Sequence, residues 1–136
     1  MTTSRPATRV VTPGQTVVVR VLIDAPRPVA SVPFHVVYDP AVVQFVAARQ
    51  GAAYSGTSLQ PILIGGINPD RPGDLAVGLS FVGAPAVLGR PAEIVVLEFQ
   101  GIGAGDSPLV FERASVRDTT GMAQPTQTRP SAISVR

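Results

Sequence analysis

Apolar residues recur at every second position of this chain, in short runs that glycine and proline keep cutting off. In QTVVVRVLID (15–24), Val17, Val19, Val21 and Ile23 share one phase, while Val18, Arg20, Leu22 and Asp24 share the other. ASVPFHVVYD (30–39) repeats the pattern with Val32, Phe34, Val36 and Tyr38 against Ser31, Pro33, His35 and Val37. DLAVGLSFVG (74–83) does so again, with Leu75, Val77, Leu79 and Phe81 against Ala76, Gly78, Ser80 and Val82. A period of two puts one face of a strand on a core and leaves the other in solvent, and no stretch sustains the 3.6-residue period of a helix. With 13 Gly and 14 Pro in 136 residues, the runs stay too short for anything but strands.

Further strands are expected at TRVV (8–11), AVVQFVAAR (41–49), LQPILIGGIN (59–68), AEIVVLEFQGIG (92–103), SPLVFERASVRD (107–118) and SAISVR (131–136), about nine in all. Val95, Leu97 and Phe99 are the inward residues of the 92–103 strand. One apolar and one small or polar face per strand is satisfied by two antiparallel sheets packed face to face, an all-β sandwich. The length fits a single domain, 1–136. GMAQPTQTRP (121–130) reads as a connecting loop.

The densest apolar stretch, FHVVYDPAVVQFV (34–46), is split by a Tyr-Asp-Pro corner. Tyr38 ends one strand facing inward, the Asp39 carboxylate can cap the turn, and Pro40 sets its φ near −65°. Val43 and Phe45 then return to the core. Pro33 lacks an N–H within a strand, so it belongs at an edge, a bulge or a break in pairing.

Composition removes several functions. All 11 basic residues are Arg, they are scattered from Arg5 to Arg136, and 9 acidic residues leave a net charge of +2. Without Trp and without aromatics interleaved among the arginines, no nucleic-acid footprint forms. With no Cys and one histidine, His35, no zinc set can be assembled. Asn68, Asp70 and Asp74 in NPDRPGD carry oxygen ligands at suggestive spacing, but the closing glutamate of a calcium loop is missing, and turn chemistry accounts for the same residues. Glu93, Glu98 and Glu112 lie on separate segments, so no glycosidase pair is expected. GIGAGD (101–106) opens no helix and reads as a tight turn rather than a phosphate cradle. No catalytic residue, metal site or cofactor is expected. MTTSRPATR is polar, unlike a signal peptide, and no apolar run approaches a membrane span of about 20 residues. The bare start and the strand-like end suggest a module of a larger exported protein.

In order, PGQTVVVRVLID, FHVVYDPAVVQFVAARQG, INPDRPGDLAVGLSFVG, PAEIVVLEFQGIGAGDSPLVF, ASVRDTTG and SAISV resemble a cohesin domain over nearly the whole chain. The resemblance lies in the YDP corner before an apolar strand, the late apolar strand with its Phe and Gly-rich turn, the Asp-x-x-Gly strand end and the small closing strand. It implies a nine-stranded jelly roll whose function is to bind a dockerin, a small helical module that carries the calcium itself. It also implies an extracellular, cell-surface or periplasmic setting. The Arg-only, Ala/Val/Pro-rich composition resembles that of a high-GC bacterium, and cohesin-like modules also occur outside cellulosomes.

Mapped through the resemblance, a flat face built from 30–38, 59–67, 74–82 and 107–117 would receive the partner. Its outward residues are Ser31, Pro33, His35 and Val37, then Ala76, Gly78, Ser80 and Val82. PILIGG does not alternate cleanly, so the outward residues of 59–67 are left open. His35 is expected to be an outward residue of little consequence for stability. Two other functions fit a jelly roll: an assembly role in a secretion or surface complex without a dockerin, and carbohydrate binding. Sugar platforms use exposed aromatic rings, and only Tyr54 in GAAYSG looks free to act as one.

Overall fold

The computed structural model of the chain describes residues 1–3, 8–54, 60–81, 87–124 and 126–136. Among these residues nine strands of four or more residues form, each overlapping a stretch expected as a strand from sequence. They are β2 (Thr8–Val11), β3 (Thr16–Ile23), β4 (Ser31–Val37), β5 (Val43–Gln50), β6 (Pro61–Ile67), β7 (Asp74–Phe81), β8 (Ala92–Gly101), β9 (Gly105–Glu112) and β12 (Ser131–Val135). Three two-residue strands complete the set: β1 (Thr2–Thr3), β10 (Val116–Arg117) and β11 (Ala123–Gln124). One sheet runs β1-β3-β8-β5. The larger runs β11-β10-β4-β9-β12-β2, with β7 also paired to β4, and β6 to β7. Pairing is antiparallel except between β12 and β2, which run parallel.

The inward phases meet between the sheets as the alternation requires. Val19, Val21, Phe34, Leu75, Leu79, Leu97 and Phe99 are all at most 2% exposed. Tyr38 and Phe45 both set their rings edge-on to Phe99, at centroid distances of 5.2 and 6.0 Å. Strand β8 buries Ile94 and Val95 in succession, which strict alternation forbids. Its pairing with β3 slips between Val21 and Leu22, so Ile94 is the extra residue of a bulge and the phase inverts beyond it.

The Tyr-Asp-Pro corner is built as its residues demand. The Asp39 carboxylate accepts the Ala41 N–H at 2.9 Å, and the Asp39 N–H donates to the hydroxyl of buried Ser107. Gly73 closes the corner from the other side: its carbonyl accepts the Tyr38 N–H at 2.9 Å, at φ +88°. A Cβ there would collide with the Tyr38 carbonyl and the Pro40 ring, so only glycine fits.

Pro33 sits at a break in pairing. The segment expected as one strand over 107–118 is two, β9 and β10, interrupted at Arg113, whose φ is +50°. β4 pairs with β9 at His35–Val37 and with β10 at Ser31, and the side of Pro33 that lacks an N–H faces the gap between them. The Pro33 carbonyl is still used, accepting the Ser115 N–H at 3.0 Å. The 121–130 segment is more than a loop. Gln124 is buried, accepts the Arg27 N–H and donates to the carbonyls of Arg27 and Pro28, tying the β3–β4 connection to β11.

Candidate protein-binding face

Strands β6, β7, β4 and β9 are consecutive neighbours, so the four segments proposed for a binding face do form one continuous surface. The register gives its rows. Ile62, Ser80 and Ser31 lie side by side, then Ile64, Gly78 and Pro33, then Gly66, Ala76, His35 and Glu112. Val37 lies between Asp74 and Val110. Ser31, Pro33, His35, Val37, Ala76, Gly78 and Ser80 are thus brought together on the outer face, all at least partly exposed. Val82 lies outside the described residues.

The strand that sequence left open supplies the most prominent side chains. Leu63 turns inward and packs against the core, while Ile62 and Ile64 point outward at 49% and 70% exposure. Alternation holds in β6, but Gly65 and Gly66 hide it by offering no side chain to count. A Cβ at Gly65 would stand 3.5 Å from the Ala48 Cβ beneath it, an ordinary van der Waals contact. At Gly78 a Cβ would meet nothing within 4 Å. The β6–β7 and β7–β4 registers run through Gly78 without a shift, so it marks no bulge. The face is therefore a shallow floor of Ala76, Gly78 and Pro33, walled on one side by Ile62 and Ile64.

Its other side is charged. Asp74 occupies an outward-phase position yet is 3% exposed, because its neighbours cover it. His35 donates through Nδ1 to the Asp74 carboxylate at 2.8 Å, and the Arg71 guanidinium stands 3.9 Å from the other oxygen. Arg71 also reaches Glu112 at 3.5 Å. His35 is thus no inert surface residue: it covers and partners a buried carboxylate. A single mid-strand histidine gives no sign of this, because the partner lies 39 residues away. The loop before β7 serves the turn, with the Asp70 N–H on the Asn68 side-chain oxygen at 3.0 Å. Among the described residues no three His, Cys, Asp or Glu side chains group as metal ligands.

The hydrogen bond from His35, then its charge, the Asn68 side chain and Arg71 hold the Asp74 carboxyl below the ordinary carboxylate range. A depressed folded-state pKa contributes stability that is fully present above the unfolded value near 3.8 and is lost as pH falls through the folded one. We expect the urea midpoint to fall with pH below about 4, and to fall less steeply in Asp74→Asn. Equal slopes would mean the carboxylate is not held this way. His35→Ala is expected to cost about 1–3 kcal/mol, because it strips a partner from a buried group; a change within about 0.5 kcal/mol, as for an ordinary surface site, would show Asp74 satisfied without it.

The outer face of the other sheet is different in kind. Arg20 pairs with Glu93 at 3.2 Å and Arg49 with Glu98 at 3.5 Å, so two of the three glutamates are spent in cross-strand ion pairs there. Tyr54, expected to be free, is 7% exposed. It lies in a short 3₁₀ turn (Ala52–Tyr54), edge-on to Phe81, with its hydroxyl donating to the Ile94 carbonyl at the β8 bulge at 3.1 Å. Burial pushes its phenol well above the ordinary tyrosine range. The one ring that sequence offered as a sugar platform therefore belongs to the core. Tyr54→Phe should lower stability by about 1 kcal/mol in a denaturant titration, and an unchanged midpoint would show that the bulge carbonyl does not need this donor.

Comparison with solved structures places the architecture. A non-cellulosomal cohesin from the archaeon Archaeoglobus fulgidus superposes with a TM-score of 0.77 over 99% of this chain and 88% of its own, at 12% identity. The chain has the cohesin fold. A type II cohesin from the cellulosome of Acetivibrio cellulolyticus gives 0.74 over 97% and 92% of the two chains at 16% identity. The sixth cohesin of that organism's scaffoldin B, solved in complex with a dockerin, gives 0.69 over 99% and 96% at 17% identity. No protein-family model matches the sequence, and no curated protein does. The cohesin-like sandwich is thus retained at identities where few individual residues are. Among the described residues no helix is long and apolar enough to cross a membrane.

Proposed function

We propose that this chain is a non-catalytic interaction module that binds a dockerin-like helical partner on the outer face of β6-β7-β4-β9. One observation carries the proposal: this face presents exposed Ile62 and Ile64 beside a floor of Ala76, Gly78 and Pro33, where among the described residues nothing stands within 4 Å of a Cβ position at Gly78. A helix can lie against such a floor at close range, and the two isoleucines supply apolar area for it to bury. Ser31, Ser80, His35 and Val37 border the contact, and Arg71 and Glu112 form a charged rim. The scaffoldin cohesin solved with its dockerin supports the same partner class for a chain of this fold.

The module, spanning residues 1–136, would work within a larger exported protein, at the cell surface or in the extracellular or periplasmic space. Calcium belongs to the partner. Calorimetric titration of calcium-loaded dockerins into this chain tests the proposal. Binding is expected with calcium and lost when the dockerin is stripped by a chelator, while the melting temperature of this chain is the same with and without chelator. Failure to bind dockerins from the same genome would favour an assembly role with a different partner. Retention on cellulose or chitin would reassign the domain to carbohydrate.

A further inference from the structure

We propose that the free edge of β6 pairs with the same edge of a second copy of this chain, joining the two large sheets into one about a two-fold axis at Gly65. The backbone fixes which groups are available. The Asn68 N–H donates to the Asp74 carbonyl, directly opposite it in the β6–β7 register. Alternation of hydrogen-bonded pairs then directs Ile62, Ile64 and Gly66 toward β7, and Leu63, Gly65 and Ile67 away from it. The Pro61 carbonyl, in the outward-directed phase, is already taken by the Gln50 amide at 3.3 Å, which agrees with that assignment. Among the described residues no strand pairs with the outer edge of β6.

Exposed edges are ordinarily protected by charge, bulges or brevity. The other edge strands here have such protection: β1 and β11 are two residues long, β5 carries Arg49 and a register shift at Val46, and β2 carries Arg9. Strand β6, PILIGGI, has no charge and no shift, and only its first residue is proline.

The occupant follows from the self-complementarity of this strand. An antiparallel copy centred on Gly65 sets Gly65 against Gly65, and Leu63 against Ile67 twice. Three residues with one donor and one acceptor each are then all satisfied, giving six hydrogen bonds across the axis. The same register sets each exposed Ile64 beside the bare Gly66 of the other copy, where nothing stands within 4 Å of a Cβ position. Shifting the axis to Ile64 sets Ile64 against Ile64 and leaves an Ile67 N–H opposite the Pro61 carbonyl that Gln50 already occupies. A strand without charge has no repulsion to overcome, and a two-fold contact closes at two copies.

Sedimentation equilibrium of the whole chain, with amide hydrogen exchange over the same concentrations, tests this. An edge contact buries less than the about 1,200 Å² of stable complexes, so the association is expected to be weak and concentration-dependent. The mean mass should climb from 14.1 kDa toward twice that value as concentration rises toward about 1 mM, with slowed exchange at the Leu63, Gly65 and Ile67 amides. Gly65→Pro removes only an edge-facing N–H, a substitution that edge strands tolerate. It should keep the melting temperature within a few degrees and hold the mass at one chain, and it should leave dockerin binding intact because the outward face is unchanged. Should Gly65→Pro unfold, Gly66→Lys, whose side chain enters open space beside Ile64 of the other copy, should abolish the dimer instead. A single-chain mass at every concentration overturns the proposal. So does a dimer that survives in a folded variant, or one without protection at these three amides. Protection appearing only with a foreign extended peptide reassigns the edge to that ligand.

Discussion

Gly78→Arg is expected to fold like the wild type and to lose dockerin binding by on the order of a hundredfold or more, equivalent to about 3 kcal/mol. Gly78 lies at the middle of the proposed floor, between Ile64 and Pro33. A Cβ added there meets nothing within 4 Å, and the flanking registers are regular, so the backbone does not require glycine. In the free domain the arginine stays solvated. Its effect on stability should be within about 0.5–1 kcal/mol, since glycine is itself a poor strand residue. Docking a helix would bury that guanidinium without a partner, and a buried unpaired charge costs several kcal/mol. Titrating the same dockerin against both proteins, with a thermal melt of each, separates loss of binding from loss of fold. Unchanged affinity in a well-folded variant removes this face from the proposal.

Phe99→Ala should be the most damaging core truncation, lowering stability by about 3–5 kcal/mol. Phe99 is fully buried, and the rings of Tyr38 and Phe45 both pack edge-on against it. Its removal forfeits both edge contacts and leaves a void that the surrounding strands, held by their ladders, cannot close. Domains of this size are stable by only about 5–15 kcal/mol, so the variant should melt far below the wild type and in places fail to accumulate. Tyr38→Ala should follow closely, because it removes one half of the same contact where the chain turns the Tyr-Asp-Pro corner. A loss under about 1 kcal/mol for Phe99→Ala would mean that the sheets are not packed through this ring.

Period-two alternation and the Gly and Pro punctuation determined the strands, their inward faces and the sandwich, because burial of one strand face is a local property of the chain. The corner was legible for the same reason: Asp39 and Pro40 act on their own neighbours. The seven described residues expected on the outer face of β4 and β7 are there, since their phase follows from their own strand. The facing of strand β6 was not legible, because Gly65 and Gly66 leave two positions without a side chain to show phase, and only pairing with β7 turns Ile62 and Ile64 outward. Tyr54 was misjudged because its burial depends on Phe81 and the bulge carbonyl of Ile94, both far away in sequence. His35 was underestimated in the same way: Asp74 becomes its partner only once β4 and β7 lie side by side. Sequence by itself determined what each strand could bury. The tertiary structure alone decided which polar groups meet, which edge is left unpaired and where the uncharged floor lies, because each depends on residues that only strand pairing brings together.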